Sequence, residues 1–150
     1  MASKGLLDAI KTWICNEVVY LVEKLSESFG EKDFWLRELK YVVVAYRKIM
    51  SSNIVKKINE TLGDIEITYI GSRCVHDEVN KVFERGVAIR IKGFKPDTLY
   101  EKLKLIIDFR KAEWFQDYHD YFAEVEGIKF KIHDLKKDNE TELWIYTEVT

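Results

Sequence analysis

Apolar positions in the first part of the chain recur with the spacing of a helix, and in much of the rest with the spacing of a strand. From Ser3 to Phe29 they fall at Leu6, Ile10, Trp13/Ile14, Val18, Leu21, Leu25 and Phe29, with Gly30 placed to end a helix. A second helix is predicted from a cap at Asp33, carrying Trp35, Leu39, Val42, Tyr46 and Ile49 on one face. Leu36, Val43 and Met50 widen that stripe, so burial on two sides is expected. Ser52 is placed to cap a third helix that ends at Gly63.

The period then changes. Residues 65–70 alternate as a strand, Gly71-Ser72-Arg73 read as a turn, and residues 75–84 read as a short helix with Val79, Val82 and Phe83 inward. Residues 87–92 alternate cleanly, with Val87, Ile89 and Ile91 on one face and Ala88, Arg90 and Lys92 on the other. Lys95-Pro96-Asp97-Thr98 opens a helix with Thr98 and Glu101 in capping-box spacing and Leu99, Leu103, Ile106 and Ile107 as its apolar face. Trp114, Phe115, Tyr118, Tyr121 and Phe122 have helical spacing, which suits a core-facing stripe better than a base-stacking platform. Residues 128–133 and 142–149 give two more strands, separated by a polar hairpin loop at 136–140. The expected architecture is α+β (or α/β): a mixed sheet of about four strands with helices packed on one face. All 150 residues are read as one domain, a helical region over 1–63 followed by strands and helices over 64–150.

Composition narrows the setting. The chain is 47% hydrophobic and 13% aromatic, as a globular protein with a real core should be. A net charge of −2 gives no overall field towards nucleic acid or an anionic membrane, so such binding needs a local basic face. A single Gln, a single Pro and 33% charged residues lean towards a thermophile's usage. Cys15 and Cys74 are too few for a disulfide framework or a structural zinc site. No signal peptide and no membrane-spanning run is visible, which predicts a cytoplasmic protein with no membrane partner.

Chemistry centres on residues 65–94. Ile70-Gly71-Ser72-Arg73 after a strand resembles the DNA polymerase β-like nucleotidyltransferases, in which Gly-Ser amides at a strand end hold nucleotide phosphates. The resemblance implies a following short helix, a strand with Asp-x-Asp and a later third carboxylate for two Mg²⁺ ions. Here those strands read Ala88-Ile89-Arg90 and Lys129-Phe130-Lys131, so the implied domain is degenerate, with no catalytic residue, cofactor or metal assigned. His76, Asp77, Glu78 and Glu84 are a weaker metal candidate, read first as capping and solvent-exposed charges. Asp117, His119 and Asp120 cannot all share one helix face.

If the strands pair as they alternate, Arg90, Lys92, Lys129, Lys131 and His133 share a sheet face with Trp144 and Tyr146, and Arg73 lies near it. Basic side chains among aromatics suit single-stranded nucleic acid; a solvated outer face carrying Lys and Arg for solubility and edge protection is the simpler reading. The expectation is a non-catalytic binding protein for nucleic acid or a protein partner, with homo-oligomerisation through the first helices as another reading. A divergent nucleotidyltransferase or a small nuclease using Asp77, Glu78 and Glu84 is the enzymatic alternative.

Overall fold

The computed structural model describes residues 34–63, 66–76, 81–112, 119–137 and 139–149. The helix expected over 3–29 and the cap at Asp33 lie outside the described residues. Helix α1 (Phe34–Met50) buries Val42, Val43, Tyr46 and Ile49 of the stripe its spacing predicts, and Ala45 besides, but Leu39 of that stripe is exposed. Helix α2 (Asn53–Leu62) starts at Ser52, whose side chain makes no capping bond. It stops at Gly63, where φ is 71° and the N–H bonds Asn59 O, a conformation that glycine adopts without a Cβ penalty.

The sheet follows. Strands β1 (Glu66–His76) and β2 (Lys81–Lys92) form one long antiparallel hairpin. Helix α3 (Pro96–Leu103) leads to the short strand β3 (Arg110–Lys111), then β4 (Tyr121–Val125), β5 (Ile128–Asp134) and β6 (Glu140–Thr147). The six strands run in the order β1-β2-β6-β5-β4-β3, and every pairing is antiparallel. The four predicted strands do belong to one sheet, with two more added, and the sheet is antiparallel rather than mixed. Val87, Ile89, Ile91, Phe130, Ile132, Leu143 and Ile145 face one way and share a core with Tyr46 and Ile49 of α1, Val55 and Ile58 of α2, and Leu99 and Leu103 of α3.

Several local expectations are corrected. The residues read as a short helix, 75–84, are split between the strands of the β1–β2 hairpin, and 77–80 are outside the described residues. Val82 and Phe83 are a strand's residues, favoured in sheets by branching and aromaticity. Gly71 and Ser72 accordingly sit inside β1, paired with Gly86 and Arg85, and form no turn. Tyr121 and Phe122 belong to β4, not to a helix; the Trp114, Phe115 and Tyr118 part of that stripe is outside the described residues. Helix α3 is preceded by Lys95 as its cap residue, so Thr98 lies within the helix and is not the cap. The helix ends at Leu103, although Ile107 beyond it is still fully buried.

A bulge explains one further departure. The β1–β2 register shifts between Ile67 and Tyr69, so Ile67 stands opposite Ile89 on the core side while Tyr69 stands opposite Ala88 on the other face. An extra residue in one strand reverses the side on which all later side chains fall.

Candidate functional site

The face of the sheet away from the main core is built from three register rows. Ala88, Trp144 and Lys131 lie side by side across β2, β6 and β5, and Gly86, Tyr146 and Lys129 form the next row. Arg90, Glu142 and His133 form a third. The expected residues Arg90, Lys92, Lys129, Lys131, Trp144 and Tyr146 are therefore brought to one face, and Arg73 joins them from β1, opposite Glu84. One premise is overturned: β2 and β5 are not neighbours, because β6 runs between them and carries Glu140 and Glu142. The basic strands are thus kept apart: Glu142 stands between Arg90 and His133, Trp144 beside Lys131 and Tyr146 beside Lys129.

Small residues let long side chains cross the face. With Gly71 on β1 and Gly86 and Ala88 on β2, the Trp144 ring has room to lie over the strands, and it is fully buried. A Cβ on Gly86 would stand only 1.8 Å from the Ile145 carbonyl oxygen, so no other residue fits there. Tyr69, Trp144 and Tyr146 form a chain of rings, with centroids 6.2 and 6.0 Å apart. Arg73 reaches over β2 to β6. Its guanidinium lies 4.1 Å from the Trp144 ring centre and donates to Glu142 through Nη1 at 2.6 Å and Nη2 at 3.1 Å. That pairing is bidentate and stacked at once, a combination a lysine could not reproduce.

Glu84 is the centre of a second group. Its Oε1 accepts from Trp144 Nε1 at 3.0 Å and its Oε2 from Lys131 Nζ at 2.7 Å. Burial, then the Glu84 charge beside it, pushes the Tyr146 phenol well above the ordinary tyrosine range, so it stays neutral. Lys129 pairs with Glu148 at 3.3 Å, and Arg90 Nε lies 3.6 Å from Glu140 Oε2. Arg73, Arg90, Lys129 and Lys131 are each set against a carboxylate; Lys92 is exposed and makes no ion pair among the described residues.

On the opposite face, where the hairpin runs beside α1, lies a cluster that sequence reasoning did not find. Arg85 Nε donates to Glu38 Oε2 at 2.8 Å, its Nη2 donates to Oε1, and Ser72 Oγ donates to Oε2 at 3.1 Å. The Arg85 guanidinium is 4.8 Å from the Tyr41 ring centre and 5.4 Å from that of Phe83. Hydrogen bonding from Arg85 holds the Glu38 carboxyl below its usual range despite its burial, with Ser72 adding to the effect. A signal was present: Glu38 precedes Val42, Ala45 and Ile49 at helical spacing, so its side chain is carried into the buried stripe. Around this pair, Leu39, Ile70 and Phe83 are exposed large apolar residues and Cys74 is an exposed free thiol.

The other candidates resolve differently. Asp77 and Glu78 are outside the described residues, and Glu84 is committed to Lys131 and Trp144. Among the described residues no group of three His, Cys, Asp or Glu side chains is placed to hold a metal ion. Because Gly71 and Ser72 are inside a strand, they form no amide cradle at a strand end of the kind the nucleotidyltransferase resemblance implies. A shallow cleft of about 260 Å³ at the far edge is lined by Asp108, Arg110, Phe122, Ala123 and Glu124 and includes none of the expected residues. No helix among the described residues is long and apolar enough to cross a membrane. No family model, curated protein or solved structure matches the chain.

Proposed function

We propose that the chain is a non-catalytic, cytoplasmic binding protein whose partner is a protein rather than a nucleic acid. The observation that carries this reading is the pairing of Arg73, Arg90, Lys129 and Lys131 with Glu142, Glu140, Glu148 and Glu84. A phosphate backbone would have to displace those carboxylates before any counterion release could drive binding. The aromatic residues that would stack on bases are also committed, since Trp144 is fully buried and Tyr146 nearly so. Apolar side chains are instead displayed around the Glu38–Arg85 pair, where one arginine lies over two aromatic rings, a setting of the kind that protein interfaces favour. The unpaired Cys74 thiol fits a reducing compartment. The nucleotidyltransferase resemblance contributes nothing to this reading, because it needs Gly71 and Ser72 at a strand end.

The test is a fluorescence-anisotropy titration of labelled single-stranded RNA and DNA at low and moderate salt. Wild type and an Arg90→Glu/Lys131→Glu variant are expected to show the same negligible binding. Wild-type binding that weakens steeply with salt and is lost in the variant would overturn the proposal.

A further inference from the structure

Strand β1 is the end strand of the sheet and is 11 residues long. Among the described residues it pairs on one side only, with β2. A long edge with exposed apolar side chains is a template for another strand unless something guards it. The guard here is partial. The bulge at Thr68 interrupts the first part of β1, but from Tyr69 to His76 the register with β2 is unbroken. The Tyr69 hydroxyl donates to Ser72 O at 2.8 Å, and a carbonyl oxygen has a second lone pair for another donor.

We infer that the regular part of this edge, residues 69–75, pairs antiparallel with the same segment of a second copy, about a two-fold axis at Ser72. This deepens the proposed protein-binding function and rests on it, naming the partner as the chain itself. The choice of register follows from the residues. A two-fold axis perpendicular to a continuous sheet keeps each side chain on its own face, so the axis falls on a residue. Centring on Arg73 would set two guanidinium groups directly opposite, which is unfavourable. Centring on Gly71 would extend the pairing into the bulge, where regular hydrogen bonding fails.

Centring on Ser72 avoids both and places Ile70 opposite the other copy's Cys74. Ile70 is 40% exposed, Cys74 is exposed, and Phe83 stands beside Cys74 across the hairpin. All three lie on the same face, so this one register covers the thiol and two of the exposed large apolar residues together. On the other face it sets Arg73 opposite Gly71, over which lies the Tyr69 ring, a side chain that can swing aside. The Glu38–Arg85–Ser72 cluster then lies close to the axis in both copies and fixes the strand that meets its mate.

The experiment uses the full chain. Light scattering after size exclusion should give twice the 17.8 kDa chain mass at tens of micromolar. Ile70→Lys should weaken the dimer at least about tenfold, because it removes two buried isoleucines and puts charge on the edge, with an unchanged far-UV spectrum. In a Cys15→Ser background, Ile70→Cys should form a disulfide-linked dimer with the native Cys74 on mild oxidation, since directly opposed positions are within disulfide reach. A Cys74→Ser version should not. A monomer throughout the range, or a dimer that neither Ile70→Lys weakens nor Ile70→Cys traps, overturns the edge pairing and leaves the protein-binding reading standing. Salt-sensitive oligonucleotide binding would remove that reading instead.

Discussion

Trp144 donates its indole N–H to Glu84 Oε1 at 3.0 Å, beneath a sheet face that would otherwise be a plain ladder of charges. Glu84 also takes Lys131, so one carboxylate satisfies a buried indole and a part-buried ammonium from neighbouring strands. Removing the carboxylate with Glu84→Ala should destabilise the protein by about 3 kcal/mol, because a part-buried cation and a buried indole N–H are left without their partner. A Glu84→Gln/Lys131→Met double variant should regain most of that loss, since both charges go together. Urea denaturation of the three proteins measures it; equal losses in single and double variants would contradict the pairing.

The two glycines that face each other across the hairpin should respond differently to alanine. At Gly86 a Cβ meets the Ile145 backbone, which cannot move without breaking the β2–β6 ladder. Gly86→Ala is expected to cost about 3 kcal/mol, at the upper end of the usual overpacking range. At Gly71 a Cβ meets only the Tyr69 ring, a side chain that can swing aside. Gly71→Ala should therefore cost about 1 kcal/mol or less, measured by the shift in thermal midpoint.

Acid should weaken the fold through Glu38. Its folded-state pKa lies below the ordinary 4.5, so its contribution is complete above that value and is lost as the pH falls through the folded pKa. Stability measured by denaturant titration at pH 7, 4.5 and 3 should fall on the acid side. In Glu38→Gln the fall should be shallower, from a starting stability about 3 kcal/mol lower, since Arg85 loses its charged partner.

Alkali should act through Tyr146. Burial raises its folded pKa above the ordinary 10.0, so the neutral phenol favours the fold below pH 10 and this contribution declines as the pH rises further. Tyrosine absorbance near 295 nm should show phenols that do not ionise at pH 10.5 until denaturant is added. In Tyr146→Phe that masked fraction should be smaller.

The alternation of Val87-Ala88-Ile89-Arg90-Ile91-Lys92 and of Ile128-Lys129-Phe130-Lys131-Ile132 fixed both the strands and their buried faces, because period two admits only one face for each residue. The helix stripe of α1 was legible at Val42, Tyr46 and Ile49 but not at Leu39, which is exposed. The β1–β2 hairpin was not, since Gly71-Ser72 looks like a turn when its partner strand is unknown and glycine inside a strand is locally unfavourable. It is tolerated here because the Tyr69 ring covers Gly71 and the Ile145 backbone leaves no room beside Gly86. The basic residues were legible as a shared face, but their carboxylate partners were not. Glu142 and Glu140 come from β6, and only the strand order places β6 between the two basic strands. Glu84 was hidden for another reason: it was read at the end of a helix that does not form.

The position of β6 also sets a timetable for the chain as it is synthesised. The β1–β2 hairpin and the β3–β4–β5 meander are complete before β6 leaves the ribosome, yet among the described residues no strand pairing joins them until it does. Each half then presents an unpaired backbone edge and an open apolar face to the cell. Strand β6, made after both, is the one that links them, and its pairings with β2 span long sequence separations, as in Arg85 with Thr147. Nascent chains halted before Glu140 should therefore be the species that holding chaperones retain.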